Sequence, residues 1–228
     1  MINNNWKRKI YLPVFAALTV TFTLFGCGGE EAEAPETQFK PDVTVAVSYV
    51  IDGDTLVTEE GSRIRFLGIN TPEIKKKEED PPDQPWGRDA ANFLKVLLPP
   101  GTRVGLIYGE GKRKGKYGRT LAYVVLEDQL VNELILEEGY GKFEDYGTKT
   151  KYEDILEKAE REARVRGKGV WEGQGKLKSP PYYVASKNGE YYHPPSSEYG
   201  KKISDKNRFR ITEPTAQKLG LKKGGSGK

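Results

Sequence analysis

The order of strand-like and helix-like segments restricts this chain more than any other feature. Val43, Val45, Val47 and Tyr49 or Val50 give alternating positions along a β-prone run, and Thr55 to Thr58 and Ile64 to Ile69 form two more, joined by the turn Glu59-Glu60-Gly61-Ser62. A helix comes only after the third run. From Arg88, the residues Ala90, Ala91, Phe93, Leu94, Val96, Leu97 and Leu98 build an amphipathic segment that stops at Pro99-Pro100-Gly101. Two further strands, Thr102 to Tyr108 and Thr120 to Leu126, precede a helix over Leu130 to Glu138, with Val131, Leu134 and Ile135 on one face and Gly139 as its cap. Tyr152, Ile155, Leu156, Ala159 and Ala163, spaced by three and four, mark the next helix, closed by Gly167. Strands and helices that fail to alternate rule out a doubly wound parallel sheet, and the order predicts an α+β barrel.

Composition places appendages on either side of this core. The 228 residues, 36% apolar and 31% charged, suit one domain of ordinary size with polar tails. The net charge of +4 is unevenly spread: residues 41–200 hold 24 Lys and Arg against 27 Asp and Glu, whereas residues 201–228 hold nine against two. Net charge is therefore no argument for polyanion binding by the core. Residues 1–26 have a basic start at Lys7-Arg8-Lys9 and an apolar run from Ile10 to Phe25, which reads as an export signal or as a single membrane anchor. The Gly26-Cys27 end of that run resembles a bacterial lipobox, which implies lipidation of Cys27 and attachment to a membrane. Residues 27–41, rich in Glu, Ala and Pro, read as a flexible linker, with folded structure expected near Asp42. A lone cysteine excludes an intrachain disulfide.

The residues that carry chemistry lie between Val50 and Glu73. Asp52-Gly53-Asp54 sets two carboxylates astride a glycine; the motif is either a plain turn or a pair aimed at one cation. Asn70 and Thr71 end the third strand and can add a side-chain and a backbone oxygen, an all-oxygen set of the kind calcium prefers. Arg65 lies on an apolar strand, facing either a cleft or solvent, and a guanidinium beside carboxylates is suited to grip phosphate oxygens in two-pronged fashion. Glu73 follows Pro72 and is either a general base near the strand end or a surface glutamate ahead of Lys75, Lys76 and Lys77. Farther on, Lys112, Arg113, Lys114 and Lys116 lead into Tyr117-Gly118-Arg119. These lysines are either a solvated hairpin tip or a nucleic-acid contact; Arg119 opens the next strand, and Tyr117 offers a ring for base stacking.

In their order and spacing, Ile51-Asp52-Gly53-Asp54-Thr55, Arg65 through Asn70-Thr71-Pro72-Glu73, Lys116-Tyr117-Gly118-Arg119-Thr120-Leu121-Ala122-Tyr123, Leu130-Val131-Asn132-Glu133 and Gly169-Val170-Trp171 resemble the staphylococcal (micrococcal) nuclease family. The resemblance covers residues 42–172. It implies an OB-fold, a five-stranded β-barrel with three helices. It also implies a monomeric, calcium-dependent phosphodiesterase that cleaves DNA and RNA with little sequence preference and leaves 3′-phosphates. It assigns the cation to Asp54, Asn70 and the Thr71 carbonyl with Asp52 close by, the phosphate to Arg65 and Arg119, water activation to Glu73, and nucleotide contacts to Lys116, Tyr117 and Tyr146. Asn70 departs from the family, which usually has an aspartate there; the site loses one formal charge, which predicts weaker calcium binding.

Residues 173–228 resemble a small module attached to some secreted bacterial nucleases, where a histidine and cysteines form a knot or metal site. Here Ser197 and a glycine-serine tail stand at the cysteine positions and His193 is the single histidine, so zinc is not expected and the segment reads as a degenerate, partly ordered basic tail. A non-catalytic nucleic-acid-binding OB-fold lipoprotein is the competing reading. It is disfavoured because Asp54, Arg65, Glu73 and Arg119 are all present.

Overall fold

The computed structural model describes residues 38–110, 113–115, 117–145 and 151–225. Cys27, Lys116, Tyr146, the export signal and most of the linker lie outside the described residues. Strand β1 (Val43–Asp52) pairs antiparallel with β2 (Thr55–Thr58), and β2 pairs antiparallel with β3 (Arg63–Phe66). The short β4 (Ile69–Asn70) follows, and then helix α1 (Gly87–Leu97). On the other side of β1 comes β5 (Arg103–Tyr108), followed by β6 (Thr120–Leu126), which runs antiparallel to β5 and parallel to β3. The β3–β6 pairing closes five strands into a barrel, which is the expected OB-fold architecture. The chain continues through β7 (Gln129–Leu130), α2 (Val131–Glu137), β8 (Lys142–Phe143) and α3 (Glu153–Val165).

Alternation and helical spacing meet in one core. Leu56, Ile64, Phe66, Leu106 and Val124 from the barrel, Phe93 and Leu94 from α1, Ile135 from α2 and Leu156 from α3 are all almost wholly buried. Each large side chain so enclosed stabilises the fold by about 1.5–3 kcal/mol before entropy is counted. Folded structure begins earlier than Asp42: Phe39 is buried against the ring of Tyr152, centroids 5.4 Å apart. The third strand is also not continuous from Ile64 to Ile69. Gly68 is left-handed (φ 70°), and a Cβ there would lie 2.5 Å from Leu156 Cδ1, so the chain turns at a position where a side chain would be both strained and crowded. Beyond that turn β4 leaves the barrel and pairs with β8.

The C-terminal segment differs from the degenerate tail expected of it. Strands β9 (Tyr182–Ser186) and β10 (Tyr191–His193), helix α4 (Glu198–Lys202), strand β11 (Arg208–Thr212), helix α5 (Glu213–Lys218) and strand β12 (Lys222–Lys223) form a four-stranded sheet in the order β11-β9-β10-β12. Ala185, Tyr192, Phe209 and Ile211 join the same buried cluster as the barrel residues, which explains why so basic a segment folds. Ser197, at an expected cysteine position, caps α4: its hydroxyl donates to the Pro194 carbonyl (2.7 Å) and accepts the Gly200 N–H (3.0 Å). His193 stacks on Tyr199, centroids 5.5 Å apart.

Asn132 ties α2 to the barrel. Its Oδ1 accepts the Val124 N–H (2.9 Å) and its Nδ2 donates to the Leu67 carbonyl (2.7 Å), all wholly enclosed. Asn132→Ala strands both backbone groups, and urea denaturation should show a loss of about 2–4 kcal/mol. A loss below about 1 kcal/mol would show that water or relaxation satisfies them.

Candidate active site

The turn between β1 and β2 delivers Asp52 and Asp54, and the β2–β3 register sets Arg65 opposite Thr55. All three side chains are buried, as is Thr71 just beyond β4. Asp54 Oδ2 accepts the Thr71 N–H (2.9 Å) and the Thr71 hydroxyl (2.9 Å) and pairs with Arg65 Nη2 at 3.2 Å; Oδ1 accepts the Thr55 hydroxyl (3.0 Å). Arg65 is therefore turned inward and not to solvent. Its Nη1 donates to the carbonyls of Phe66 (3.0 Å) and Ile69 (2.7 Å), bracing the Gly68 turn, and Nη2 also donates to Asn70 Oδ1 (3.1 Å). Asp54 and Asn70 thus offer oxygens to the same guanidinium nitrogen, which gathers the two sides of the cluster at one point.

Burial pushes the Asp54 carboxyl up to about 6. The Arg65 charge works against that rise, the Asp52 charge adds to it, and the Thr71 hydrogen bonds oppose it. An ionised carboxylate that costs this much to maintain is one that a bound cation would relieve. The donor set fits such an ion: Asp52, Asp54, Asn70 and Thr71 supply oxygens only. Among the described residues no group of three or more His, Cys, Asp and Glu side chains converges, so the two aspartates would need the amide, a backbone carbonyl and solvent or substrate oxygens to complete a shell.

Glu73 is exposed, with its side chain 68% accessible, and its backbone is anchored instead: its N–H donates to Gln84 Oε1 (3.0 Å) and its carbonyl accepts the Gln84 N–H (2.9 Å). The Lys76 ammonium spans Asp52 Oδ2 (2.7 Å) and Glu73 Oε2 (3.4 Å), joining the carboxylates of two segments. Lys76 and Gln84 were not apparent as site residues. Lys76 follows Glu73 by three and sits in a run of three lysines; nothing in the run sets it apart from Lys75 or Lys77.

Arg119 comes from a segment distant in sequence, just ahead of β6. The β3–β6 register pairs Ile64 with Thr120 and Arg65 with Leu121, so Arg119 enters the barrel one residue ahead of the Ile64 pair. Its Nε is buried and finds no hydrogen-bond acceptor among the described residues, while its Cζ lies 5.4 Å from the ring of Tyr117. Tyr117 is 73% exposed. The structure thus brings together Asp52, Asp54, Arg65, Asn70, Thr71, Glu73 and Lys76 directly, while Arg119 and Tyr117 contact each other at the entry to β6, the strand that pairs with β3.

Comparison with known proteins bears on this arrangement. The family model for staphylococcal nuclease homologue matches residues 63–173, which run from the first residue of β3 past α3. The thermonuclease of Staphylococcus intermedius is 40% identical over 129 residues, covering 55% of this chain and 74% of the relative. The thermonuclease of Staphylococcus hyicus is 36% identical over 131 residues, covering 56% and 75%. The SPbeta prophage-derived endonuclease YokF of Bacillus subtilis (strain 168) is 37% identical over 204 residues, covering 74% and 68%.

The raised Asp54 carboxyl has a measurable sign. Between pH 3.8 and about 6 the folded state holds a proton that the unfolded state has released, so this group makes stability fall as pH rises through that window. Above it the penalty is complete, on the order of 3 kcal/mol. Asp54→Asn, measured in chelator, should therefore be more stable than the native chain at pH 7, and the gain should shrink as pH falls below 6. A destabilised Asp54→Asn at pH 7 would show that the Arg65 pairing outweighs burial.

Proposed function

The chain belongs to the staphylococcal nuclease family, and from that premise we propose that it is a calcium-dependent endonuclease that cleaves DNA and RNA with low sequence preference and leaves 3′-phosphates. The observation that carries this reading is the Arg65 guanidinium beside a buried carboxylate that burial disfavours in its charged form, with a second guanidinium, Arg119, at the start of the strand that pairs with β3. One of the two, Arg119, keeps a buried donor with no acceptor among the described residues. A buried unpaired N–H is costly, and a phosphate oxygen is the acceptor that phosphodiester chemistry would bring.

In this reading calcium, held by Asp54, Asn70 and the Thr71 carbonyl with Asp52 close by, supplies positive charge against the phosphate. The chain's own groups do the rest. Arg65 and Arg119 orient the phosphate and stabilise the charge that builds on its oxygens. Glu73, exposed beside the cluster, holds the attacking water and accepts its proton. Tyr117, 73% exposed, takes a base-stacking contact; Lys116 and Tyr146 are assigned nucleotide contacts from sequence alone. Each of these roles is assigned within one chain, and the enzyme is proposed as a monomer. Export and anchoring through a lipid on Cys27 rest likewise on sequence, since residue 27 precedes the described region; among the described residues no helix is long and apolar enough to cross a membrane.

Cleavage of denatured DNA and of RNA should require millimolar calcium, stop with chelator, and yield ends that a 3′-phosphatase can open. Arg119→Ala should lower kcat by about 100-fold or more. Chelator-resistant cleavage would overturn the calcium assignment. Calorimetry should find that Asn70→Asp binds calcium several-fold more tightly than the native chain; unchanged affinity would remove Asn70 from the ligand set.

A further inference from the structure

Trp86 is the non-glycine residue under most backbone constraint near the site. It caps the N-terminus of α1 in the left-handed region (φ 70°, ψ −7°), with no side-chain cap of its own, and its ring is 5% exposed. A bulky residue holds such a conformation only where its surroundings over-determine it. Much of that surrounding belongs to the C-terminal module. Tyr182 lies 5.0 Å from the Trp86 ring, and the Arg210 guanidinium covers it, Cζ 3.4 Å from the centroid. Arg210 is gripped in turn by Asp89 in the first turn of α1, with Nε to Oδ1 at 3.2 Å and Nη2 to Oδ2 at 2.9 Å, and its backbone N–H also donates to Asp89. One side chain of β11 therefore clamps the start of α1 and covers its cap.

The other side of that cap is the Glu73 turn. Gly87 N–H donates to the Gln84 carbonyl (3.0 Å), and Gln84 makes both of the backbone hydrogen bonds that hold Glu73. α1 starts hard against this turn: a Cβ on Gly87 would fall 2.7 Å from the Glu73 carbonyl oxygen and 2.8 Å from that of Pro72. Displacing Trp86 displaces Gly87 and Gln84, and Glu73 moves with them.

We propose that the C-terminal module acts through Arg210 and Trp86 to set the position of Glu73, which makes Arg210 a positioning residue of the nuclease. The proposal rests on the reading that Glu73 takes part in cleavage. It gives the module a part in the reaction without any contact with the substrate.

A double-mutant cycle on the full chain tests it, with kcat and KM measured on DNA for the native protein, Arg210→Leu, Glu73→Ala and the double variant. Arg210→Leu should lower kcat by about tenfold with KM changed less than about twofold, and should cost less than about twofold when Glu73 is already alanine. Arg210→Lys keeps a charge for Asp89 but loses the flat face over Trp86, so it should recover only part of kcat. If Arg210→Leu does not fold, Arg210→Lys enters the same cycle, with the same pattern at smaller amplitude expected. Undiminished kcat in the Arg210 variants, or equal losses in both backgrounds, overturns the proposal. If Glu73→Ala costs nothing, the role given to Glu73 falls and this inference with it; if Glu73→Ala is costly and Arg210→Leu is not, this inference fails alone.

Discussion

Asp54 and Arg65 pair at 3.2 Å with both side chains nearly excluded from water, and much of the structure follows from keeping that pair in place. Taking two such charges out of solvent costs several kcal/mol per ion and is tolerated only when the remaining lone pairs and protons are matched. The chain matches them from three separate segments. Thr55 follows Asp54 on β2, Thr71 comes from beyond β4, and the carbonyls of Phe66 and Ile69 are turned toward Arg65 by the bend at Gly68. The match is incomplete for the carboxylate, since burial still pushes its protonation up to about 6. A cluster that binds its own cation firmly yet leaves its anion under strain is poised for a further positive charge, which is consistent with a hydrolytic nuclease of the staphylococcal nuclease family.

Barrel closure does the second part of the work. Parallel pairing of β3 with β6 joins strands far apart in sequence, and it brings the Thr120 end of β6, which Arg119 precedes, alongside the strand that carries Arg65. The C-terminal sheet extends the same logic, since its inner face shares the barrel's core and its Arg210 reaches across to Asp89 and Trp86. The segment that delivers Glu73 is thus bounded by the barrel on one side and by the module on the other.

Much of this was legible in the sequence because periodicity reports burial directly. Five strands and three helices follow from alternation, from spacing of three and four, and from the proline and glycine stops, whereas the side on which Arg65 lies needed the structure. Where periodicity is silent the reading failed. A left-handed turn at Gly68 looks like any small residue inside an apolar run, so β4 was merged into the third strand. The C-terminal strands are only two to five residues long and interleave with lysines, so Phe209 and Ile211 gave too short an alternation to outweigh a basic composition. Lys76 has no local signature, because what distinguishes it from Lys75 and Lys77 is the position of Asp52, 24 residues earlier.

The central claim, that the Asp54–Arg65 cluster and Arg119 form one site for a cation and a phosphodiester, is most directly tested by a crystal structure with calcium and a non-cleavable dinucleotide phosphonate. The predicted result is calcium in contact with Asp54 and Asn70 and phosphonate oxygens against both Arg65 and Arg119, the latter occupying the Arg119 Nε donor. A phosphonate bound elsewhere, or calcium seated away from Asp54 while that carboxylate keeps only its Arg65 and threonine partners, would contradict it.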